Sequence, residues 1–336
     1  MINQFRVGIV GTGYAARKRA EALRDESRAT LVAIAGQTPS RTTALAQAFI
    51  AEPLEDWQRL AARSDLDLIF ICTINQDHGP VVEAALQAGK HVVVEYPLSL
   101  DYAQAQSLVE LAEVKGLMLH VEHIERLGGM HQALLAQLDH IGQPHWVRYA
   151  TIAPKAPAPR RWSFHHQQLG FPLMAALSRI HRLTHAFGPV TAVSCQAKFW
   201  PAPEDPSYFV RCLCHAQLEF ESGVFGQVTY AKGEGLWQAE RLMEVTGDHG
   251  ALRFEQEKGC LIGPNGTQEI AVGGRRGLFA KDTAMVLDHL QLQKSLYVSV
   301  AESLYSLEVA DAARRAAESG QTIQLPSSKS VQSVSE

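Results

Sequence analysis

The segment Arg6-Val7-Gly8-Ile9-Val10-Gly11-Thr12-Gly13-Tyr14-Ala15-Ala16, followed by the helical-looking Arg17 to Arg24, constrains this chain more than any other stretch. A short apolar strand, a tight glycine turn and a helix start follow one another without interruption. Gly11 permits the sharp turn. Gly13 has no Cβ, so an anion can approach the backbone. The N–H groups and positive dipole end of the helix can then meet a pyrophosphate. Ala16 stands where the third glycine of G-x-G-x-x-G would fall, a position that needs only a small residue for helix–strand packing. The glycines alone are a weak signal; the strand before and the helix after them make it a strong one. Gly11, Gly13, Tyr14 and Ala15 are therefore expected to bind a dinucleotide.

At 336 residues the chain is long for one domain, and two are expected. A hydrophobic fraction of 46% with 20% charged residues is that of a globular protein. The net charge of −4 argues against a nucleic-acid surface, though not against a local basic pocket. No apolar run reaches the length of a membrane span, and the start shows no signal-peptide pattern. The five cysteines are odd in number and form no C-x-x-C pair, so reduced thiols in a cytoplasmic protein are expected. Cys212 and Cys214 read as small buried residues of one strand face. The adjacent His165 and His166 have no evident supporting ligands, so no metal is expected.

The first part of the chain alternates strands and helices. Strands are predicted at Arg6–Val10, Thr30–Ala35, Leu66–Cys72, His91–Val94 and Met118–Val121, and helices at Ala15–Leu23, Ser40–Phe49, Trp57–Ala62, Pro80–Ala88 and Tyr102–Lys115. That alternation means a doubly wound parallel sheet, whose ligands sit beyond the carboxyl ends of the strands. The second part predicts helices at His123–Leu138 and Leu173–Phe187 framing long strands at His145–Ile152, Val190–Trp200, Tyr208–Phe220, Val224–Lys232, Arg241–Thr246 and Ala251–Glu255, and a final helix at Val300–Ser319. Turn clusters between several strands suggest an antiparallel meander. Ala153–Arg161 and Pro201–Ser207 read as Pro-rich loops. The expected division is 1–122, a dinucleotide-binding α/β domain; 123–325, an α+β domain with a large, mainly antiparallel open sheet; and 326–336, a frayed tail.

After the second strand, Gly36-Gln37-Thr38-Pro39-Ser40-Arg41 contains no carboxylate to take a ribose 2′-OH. Thr38 and Ser40 can donate hydrogen bonds, and Arg41 can pair with a phosphate through its guanidinium fork. NADPH rather than NADH is the expected cofactor. A solvated loop that happens to carry an arginine is the competing reading.

Thr73-Ile74-Asn75-Gln76-Asp77-His78 follows the third clear strand, and Glu95-Tyr96-Pro97 the next. With the glycine turn, these segments resemble the oxidoreductase family that includes glucose–fructose oxidoreductase and inositol dehydrogenase. The resemblance implies a Rossmann domain, an open, mainly antiparallel second domain, and cofactor contacts from Thr73, Asn75, His78, Glu95 and Tyr96. The departures are informative. Sugar dehydrogenases of the family use the Lys of Glu-Lys-Pro, with an Asp and a His four residues apart on a helix. Here those places hold Tyr96, Ala175 and Arg179, so the usual base for a hydroxyl proton is missing and sugar or polyol oxidation is not expected. The segments Leu119–Glu125, Arg161–Gln168, Ala176–Ile180 and Arg275–Phe279 resemble, within that family, the biliverdin reductases of the cyanobacterial type.

That resemblance implies hydride transfer from NADPH to the C10 methine of biliverdin, with a proton reaching a pyrrole nitrogen. No hydroxyl base is then required. Tyr96 is expected to stack on the flat pigment. Arg179 stays protonated and is a poor proton donor, so it is expected to polarise the ring system or hold a water or propionate. Arg179, Tyr96 and Glu95 are the candidate catalytic residues. His123, Glu122, Glu125, Arg161, Trp162, Arg182 and Lys232 join Tyr96 and Arg179 as candidate substrate contacts, with Arg275 and Arg276 as further propionate partners. A structural role for His78, a solvated first-turn place for Glu125 and water-facing places for the arginines compete with these assignments. Reduction of another conjugated or carbonyl compound, or a cofactor-binding regulator without catalysis, remain open. The oligomeric state is not fixed by the sequence.

Overall fold

A computed structural model describes residues 4–326. By contact the chain forms two units. The first is the chain up to Ile124 together with Arg276–Leu304; the second is Glu125–Arg275 with the chain from Tyr305 onward. The segment 276–304 thus joins the first unit, whereas the sequence division placed it in the second. The expected frayed tail, apart from residue 326, lies outside the described residues.

The first unit carries strands β1 (Phe5–Val10), β2 (Ala29–Ala35), β3 (Glu52–Leu54), β4 (Leu68–Ile71), β5 (His91–Glu95) and β6 (Leu119–Glu122), in the order β3-β2-β1-β4-β5-β6. Every pairing is parallel. Strands covered on both faces should be apolar throughout, and Leu68–Ile71 is buried at all four positions. The order reverses between β1 and β4, so their carboxyl ends flank the crevice where such sheets bind ligands. The helices are α1 (Tyr14–Arg24), α2 (Pro39–Ala48), α3 (Trp57–Ala61), α4 (Asn75–Gln87) and α5 (Tyr102–Lys115). Helix α5 matches its predicted span because both ends are coded locally. The Asp101 carboxylate accepts from the Ala103 N–H at 2.8 Å, and Gly116 stops the helix at φ 62°. Helix α4 starts at Asn75 and not at Pro80; the proline sits inside it.

In the second unit follow α6 (Gly129–Gln137), β7 (Pro144–Pro154), α7 (His166–Leu169), α8 (Pro172–Ala175), α9 (Ser178–Phe187), β8 (Val190–Ala202), β9 (Asp205–Phe220), β10 (Phe225–Gly233), β11 (Glu240–Gly247), β12 (Gly250–Glu255), β13 (Lys258–Gly263) and β14 (Gly266–Ile270). Helix α10 (Leu278–Leu292) returns to the first unit; α11 (Val300–Ser319) and β15 (Ile323–Gln324) complete the chain. The nine-stranded sheet runs β14-β13-β12-β11-β7-β10-β9-β8-β15. It is mainly antiparallel but not a simple meander, because β7 sits centrally and pairs in parallel with β10. Other expectations need correcting. The helix expected at His123–Leu138 is a 3-10 turn followed by the shorter α6, and the one at Leu173–Phe187 is broken at Ala176 into α8 and α9. Strands reach Ala202 and restart at Asp205, so Pro201–Ser207 is a hairpin tip rather than a loop. Strands β3, β13, β14 and β15 and helix α10 have no counterpart in the sequence reading.

Helix α10 matters most among these. Its Val286 and Leu287 enter the core made by β1, α1 and α2. Beside them the fully buried Arg19 guanidinium of α1 pairs with the fully buried Asp282 carboxylate and reaches Thr283 Oγ1 at 3.2 Å. Burial works against the Arg19 charge, but Asp282 and Glu95 hold it charged; the same guanidinium and His120 hold Asp282 well below the usual carboxylate range. Removing one partner of such a pair costs about 3–5 kcal/mol, while replacing both with apolar groups is often neutral. Asp282→Ala is therefore expected to lower the unfolding free energy by about 3–5 kcal/mol, and Arg19→Met combined with Asp282→Leu to recover part of it, since Glu95, His120 and Tyr297 then lose a partner. Denaturant titration checks both; a loss under about 1 kcal/mol in the single variant contradicts a stabilising pair.

In the second unit, buried His131 of α6 has Nε2 2.9 Å from His185 Nδ1 of α9. Burial, helped by Arg182, His185, Arg126 and His181, pulls His131 down to about 2 from 6.5. The unfolded chain then takes up a proton below about 6.5 that the fold refuses, so stability is complete above that pH and falls below it, by at most about 1.4 kcal/mol per pH unit. Urea titrations between pH 7.5 and 5 are expected to show this slope, and His131→Gln to flatten it; equal slopes in the two proteins contradict the reading.

Candidate active site

Gly11 leaves β1 at φ +123°, and a Cβ there would stand 2.2 Å from the Cys72 carbonyl oxygen at the end of β4. Only glycine lets these two chain ends come so close at the switch point. Gly13 is the residue before α1; a Cβ there would meet nothing within 4 Å, so its outer side is open. Helix α1 has neither a side-chain cap nor an acidic residue in its first turn. Its first N–H groups, from Tyr14 and Ala15 onward, are therefore available to an anion, as a pyrophosphate cradle requires. Tyr14 is 72% exposed beside this opening, its ring edge-on to Phe279 at 6.1 Å.

Beyond β2, Thr38, Ser40 and Arg41 are all exposed at the start of α2, which also lacks a side-chain cap and an acidic first turn. The sequence reading missed one carboxylate here: Gln37 Nε2 donates to Asp77 Oδ2 at 3.2 Å. Asp77 belongs to α4, forty residues on, and burial raises its carboxyl above the usual value. After β4, Thr73 Oγ1 bonds the Ile74 carbonyl, Asn75 is buried, and His78 lies inside α4. His78 Nδ1 is 2.7 Å from the Pro97 carbonyl and Nε2 is 3.3 Å from that of Thr73. The ring ties the loop after β4 to the loop after β5, and burial lowers its basicity. It braces the edge from within rather than facing it.

Glu95 and Glu122 end β5 and β6 as register partners, which sets their side chains next to each other on one face of the sheet. Arg19 Nη2 lies 3.3 Å from Glu95 Oε1, and Glu122 Oε1 accepts the Ile124 N–H at 2.5 Å. Next to them Tyr96 and His123 stack at 5.4 Å and 7°. His123 is fully buried: its N–H donates to Tyr297 Oη at 3.1 Å, and its Nε2 is 2.9 Å from Ser303 Oγ. Tyr297 in turn donates to Asp282 Oδ1 at 2.7 Å, and His120 Nε2 lies 2.9 Å from the same oxygen. The carboxyl edge of the parallel sheet thus carries a continuous buried polar network behind Tyr96.

The second unit gathers cations on α9. Half-buried Arg179 lies 3.4 Å from Thr151 Oγ1 and 3.0 Å from Ser178 Oγ, with its guanidinium 5.8 Å from the Tyr230 ring. Because the helix breaks at Ala176, Ala175 and Arg179 do not lie on the one helix face that their four-residue spacing predicts for a single helix. Arg182, 2% exposed, donates to Tyr149 Oη at 3.0 Å and to Glu125 Oε2 at 3.0 Å, and Arg275 also pairs with Glu125. Burial pushes the Glu125 carboxyl up, but Arg182, Arg275 and Arg179 outweigh it and hold it below the usual range. Arg182 is therefore committed to the interior, and Glu125 is neither solvated nor uncommitted. Lys232 is 8% exposed; its Nζ donates to the Ser163 carbonyl and sits 4.7 Å from the Phe164 ring centre. Burial, with Arg161 nearby, brings it down to about 8. Arg161 and Trp162 are exposed, as is Arg276 of the first unit. His165 and His166 diverge onto Tyr208 and Phe199, and among the described residues no group of three or more His, Cys, Asp or Glu is placed to hold a metal. A cavity of about 540 Å³ lined by Leu23, Thr30 and Phe49 lies at the amino end of β2, away from the glycine turn.

Residues 5–123 match the oxidoreductase family with an NAD-binding Rossmann fold, and residues 136–325 match that family's C-terminal alpha/beta domain. A crystal structure of biliverdin reductase from Synechocystis sp. PCC 6803, in complex with biliverdin and NADP+, is 51% identical. It superimposes with a TM-score of 0.92 over 94% of this chain and 99% of that one. Biliverdin reductase A of Mus musculus is 32% identical over 57% of this chain, and that of Homo sapiens 30% over the same share. Each match spans 61% of the mammalian protein's length. With both halves matched, the chain belongs to the GFO/IDH/MocA oxidoreductase family.

Proposed function

We propose that this protein is an NADPH-dependent reductase that converts biliverdin to bilirubin. The observation that carries the reading is the likeness, along nearly the whole chain, to a reductase crystallised with biliverdin and NADP+. The site geometry supports it. The Gly11 turn and the uncapped start of α1 form an anion cradle that any added Cβ at Gly11 would destroy. Thr38, Ser40 and Arg41 stand exposed beyond β2, where a ribose 2′-phosphate falls in this fold. Bound NADPH supplies the hydride that reduces the C10 methine.

The protein's own residues then have three tasks. Tyr96, held against the His123 ring, offers a flat aromatic face at the carboxyl edge of the first unit. Arg179 offers a permanent positive charge, aligned by Thr151 and Ser178, to stabilise negative charge developing on the pigment. Arg161 and Trp162 are exposed and available to a propionate and a ring, whereas Arg182 and Lys232 act from behind, one holding Glu125 and the other bracing the Ser163 turn. All five cysteines are free, which suits a reducing compartment such as the cytoplasm.

Mixing the protein with NADPH and biliverdin is expected to replace the biliverdin absorption band with that of bilirubin. No change at mildly acidic or neutral pH contradicts the reading, and turnover of other carbonyl or conjugated compounds in its place points to a different substrate. Arg179→Ala is expected to lower kcat by about 10²–10³-fold with the NADPH Kd unchanged; retained kcat removes Arg179 from catalysis. Arg41→Ala is expected to lower kcat/KM for NADPH while leaving that for NADH unchanged. Equal effects on the two cofactors contradict a 2′-phosphate site.

A further inference from the structure

Three carboxyl groups, the buried Glu122 and Asp282 and the part-buried Glu95, surround one guanidinium, that of Arg19. Asp282 takes the tightest share. It pairs with Arg19 and also receives His120 Nε2 and the Tyr297 hydroxyl. Glu95 keeps a longer contact with Arg19, at 3.3 Å. Glu122 has no guanidinium of its own; its neighbours are the Ile124 N–H and the Glu95 carboxyl. Strand register sets these two carboxyls side by side, and carboxyls so placed can bond directly only if one of them carries a proton. Like charges sharing one buried site do not both ionise, so the pair titrates as a unit that retains one proton.

We propose that Glu95 and Glu122 share a single proton at neutral pH, and that this pair is the store from which the reduction draws the proton that ends on a pyrrole nitrogen. The proposal rests on the reductase reading above and adds the source of the proton, which Arg179 cannot provide. Both groups end neighbouring strands at the carboxyl edge, directly before Tyr96 and His123. Glu95 is the outlet, since its side chain keeps 17% of its exposure while Glu122 is buried at 2%. In the transfer, the Glu122 O–H bond breaks as a Glu95 O–H bond forms. The Glu95 O–H bond then breaks as the pyrrole N–H forms, while the hydride of NADPH goes to C10. One hydride and one proton are consumed, and solvent water restores the proton to the pair once product has left.

The surroundings favour this allocation. The charged and titratable groups facing the pair are Arg19 of α1, Cys72 at the end of β4, His120 of β6, Asp282 of α10 and Tyr297 beyond it. Burial raises the Glu122 carboxyl well above the usual range, and the Glu95 charge raises it further; burial also raises Glu95, but Arg19 opposes the rise. Arg19, 3.3 Å from Glu95, favours the Glu95 anion, which leaves the proton on Glu122 with Glu95 as its acceptor.

Glu122→Gln tests the idea, because an amide copies the shape and donor of the protonated acid but has no proton to release. Infrared spectra of the wild-type protein with NADP+ at pH 7 are expected to show the C=O stretch of a buried neutral carboxylic acid, and Glu122→Gln to lack it. The variant is expected to keep its Tm and NADPH Kd and to lose at least about 10²-fold in kcat, with activity recovering toward acid pH as solvent protonates Glu95 directly. A missing acid band in the wild type overturns the proposal. So does a variant whose kcat-against-pH profile keeps the wild-type shape, whatever its absolute rate. The infrared measurement needs no turnover, so a wild-type protein that shows the band yet leaves biliverdin unreduced upholds the shared proton and overturns the reductase reading alone.

Discussion

One buried guanidinium organises the first unit. Arg19 projects from the first helix after the glycine turn, 0% exposed, with its charge set against Phe70 and Phe279 and satisfied by Asp282 and Glu95. Through Asp282 it holds α10, a helix that arrives from more than 250 residues later in the chain. Through Glu95 it reaches the end of β5, where the residues with chemical character begin. A charge buried this deeply is tolerated only because it is paired with carboxylates, one of them, Asp282, fully buried and itself bonded. The α10 brace and the Glu95 carboxyl before Tyr96 therefore share a single electrostatic anchor, carried on the helix that follows the glycine turn.

The parallel sheet was legible because each of its signals is local. Gly11 and Gly13 mark the first turn, Asp101 and Gly116 punctuate α5, and the buried strands read as apolar runs. What stayed hidden was long-range. Helix α10 carries Asp282 and Thr283 on its buried face, which breaks the apolar stripe, and it begins at Gly277 without a side-chain cap. The polar residues that disguise it are the ones Arg19 requires. The break at Ala176 follows no glycine or proline, so Leu173 to Phe187 reads as one helix when it is two. The parallel pairing of β7 with β10 joins strands about eighty residues apart, beyond the reach of any periodicity argument.

The candidate site divides along the same line. Gly11 makes a turn that only glycine fits, and Thr38, Ser40 and Arg41 are exposed at the start of α2, both of them features of local sequence. Charged residues chosen for their type alone fared differently. Arg182 and Lys232 look like surface cations in the sequence, but the fold draws both inside, one to Glu125 and Tyr149, the other to a backbone carbonyl against an aromatic ring. The Asp77 contact with Gln37 and the Glu95–Glu122 pairing come from elements that only the sheet order brings together. Sequence names the residue types able to do the chemistry; burial decides which of them can still meet a ligand.

The account as a whole depends on a hydride leaving a dinucleotide cradled at the Gly11 turn and arriving on a tetrapyrrole methine. The most direct test follows the hydrogen itself. With NADPH deuterated at the transferable position of nicotinamide C4, the account predicts one deuterium at C10 of the bilirubin formed and none there when the label is instead in the water. Deuterium at C10 drawn from solvent, or none delivered from the cofactor, would contradict it.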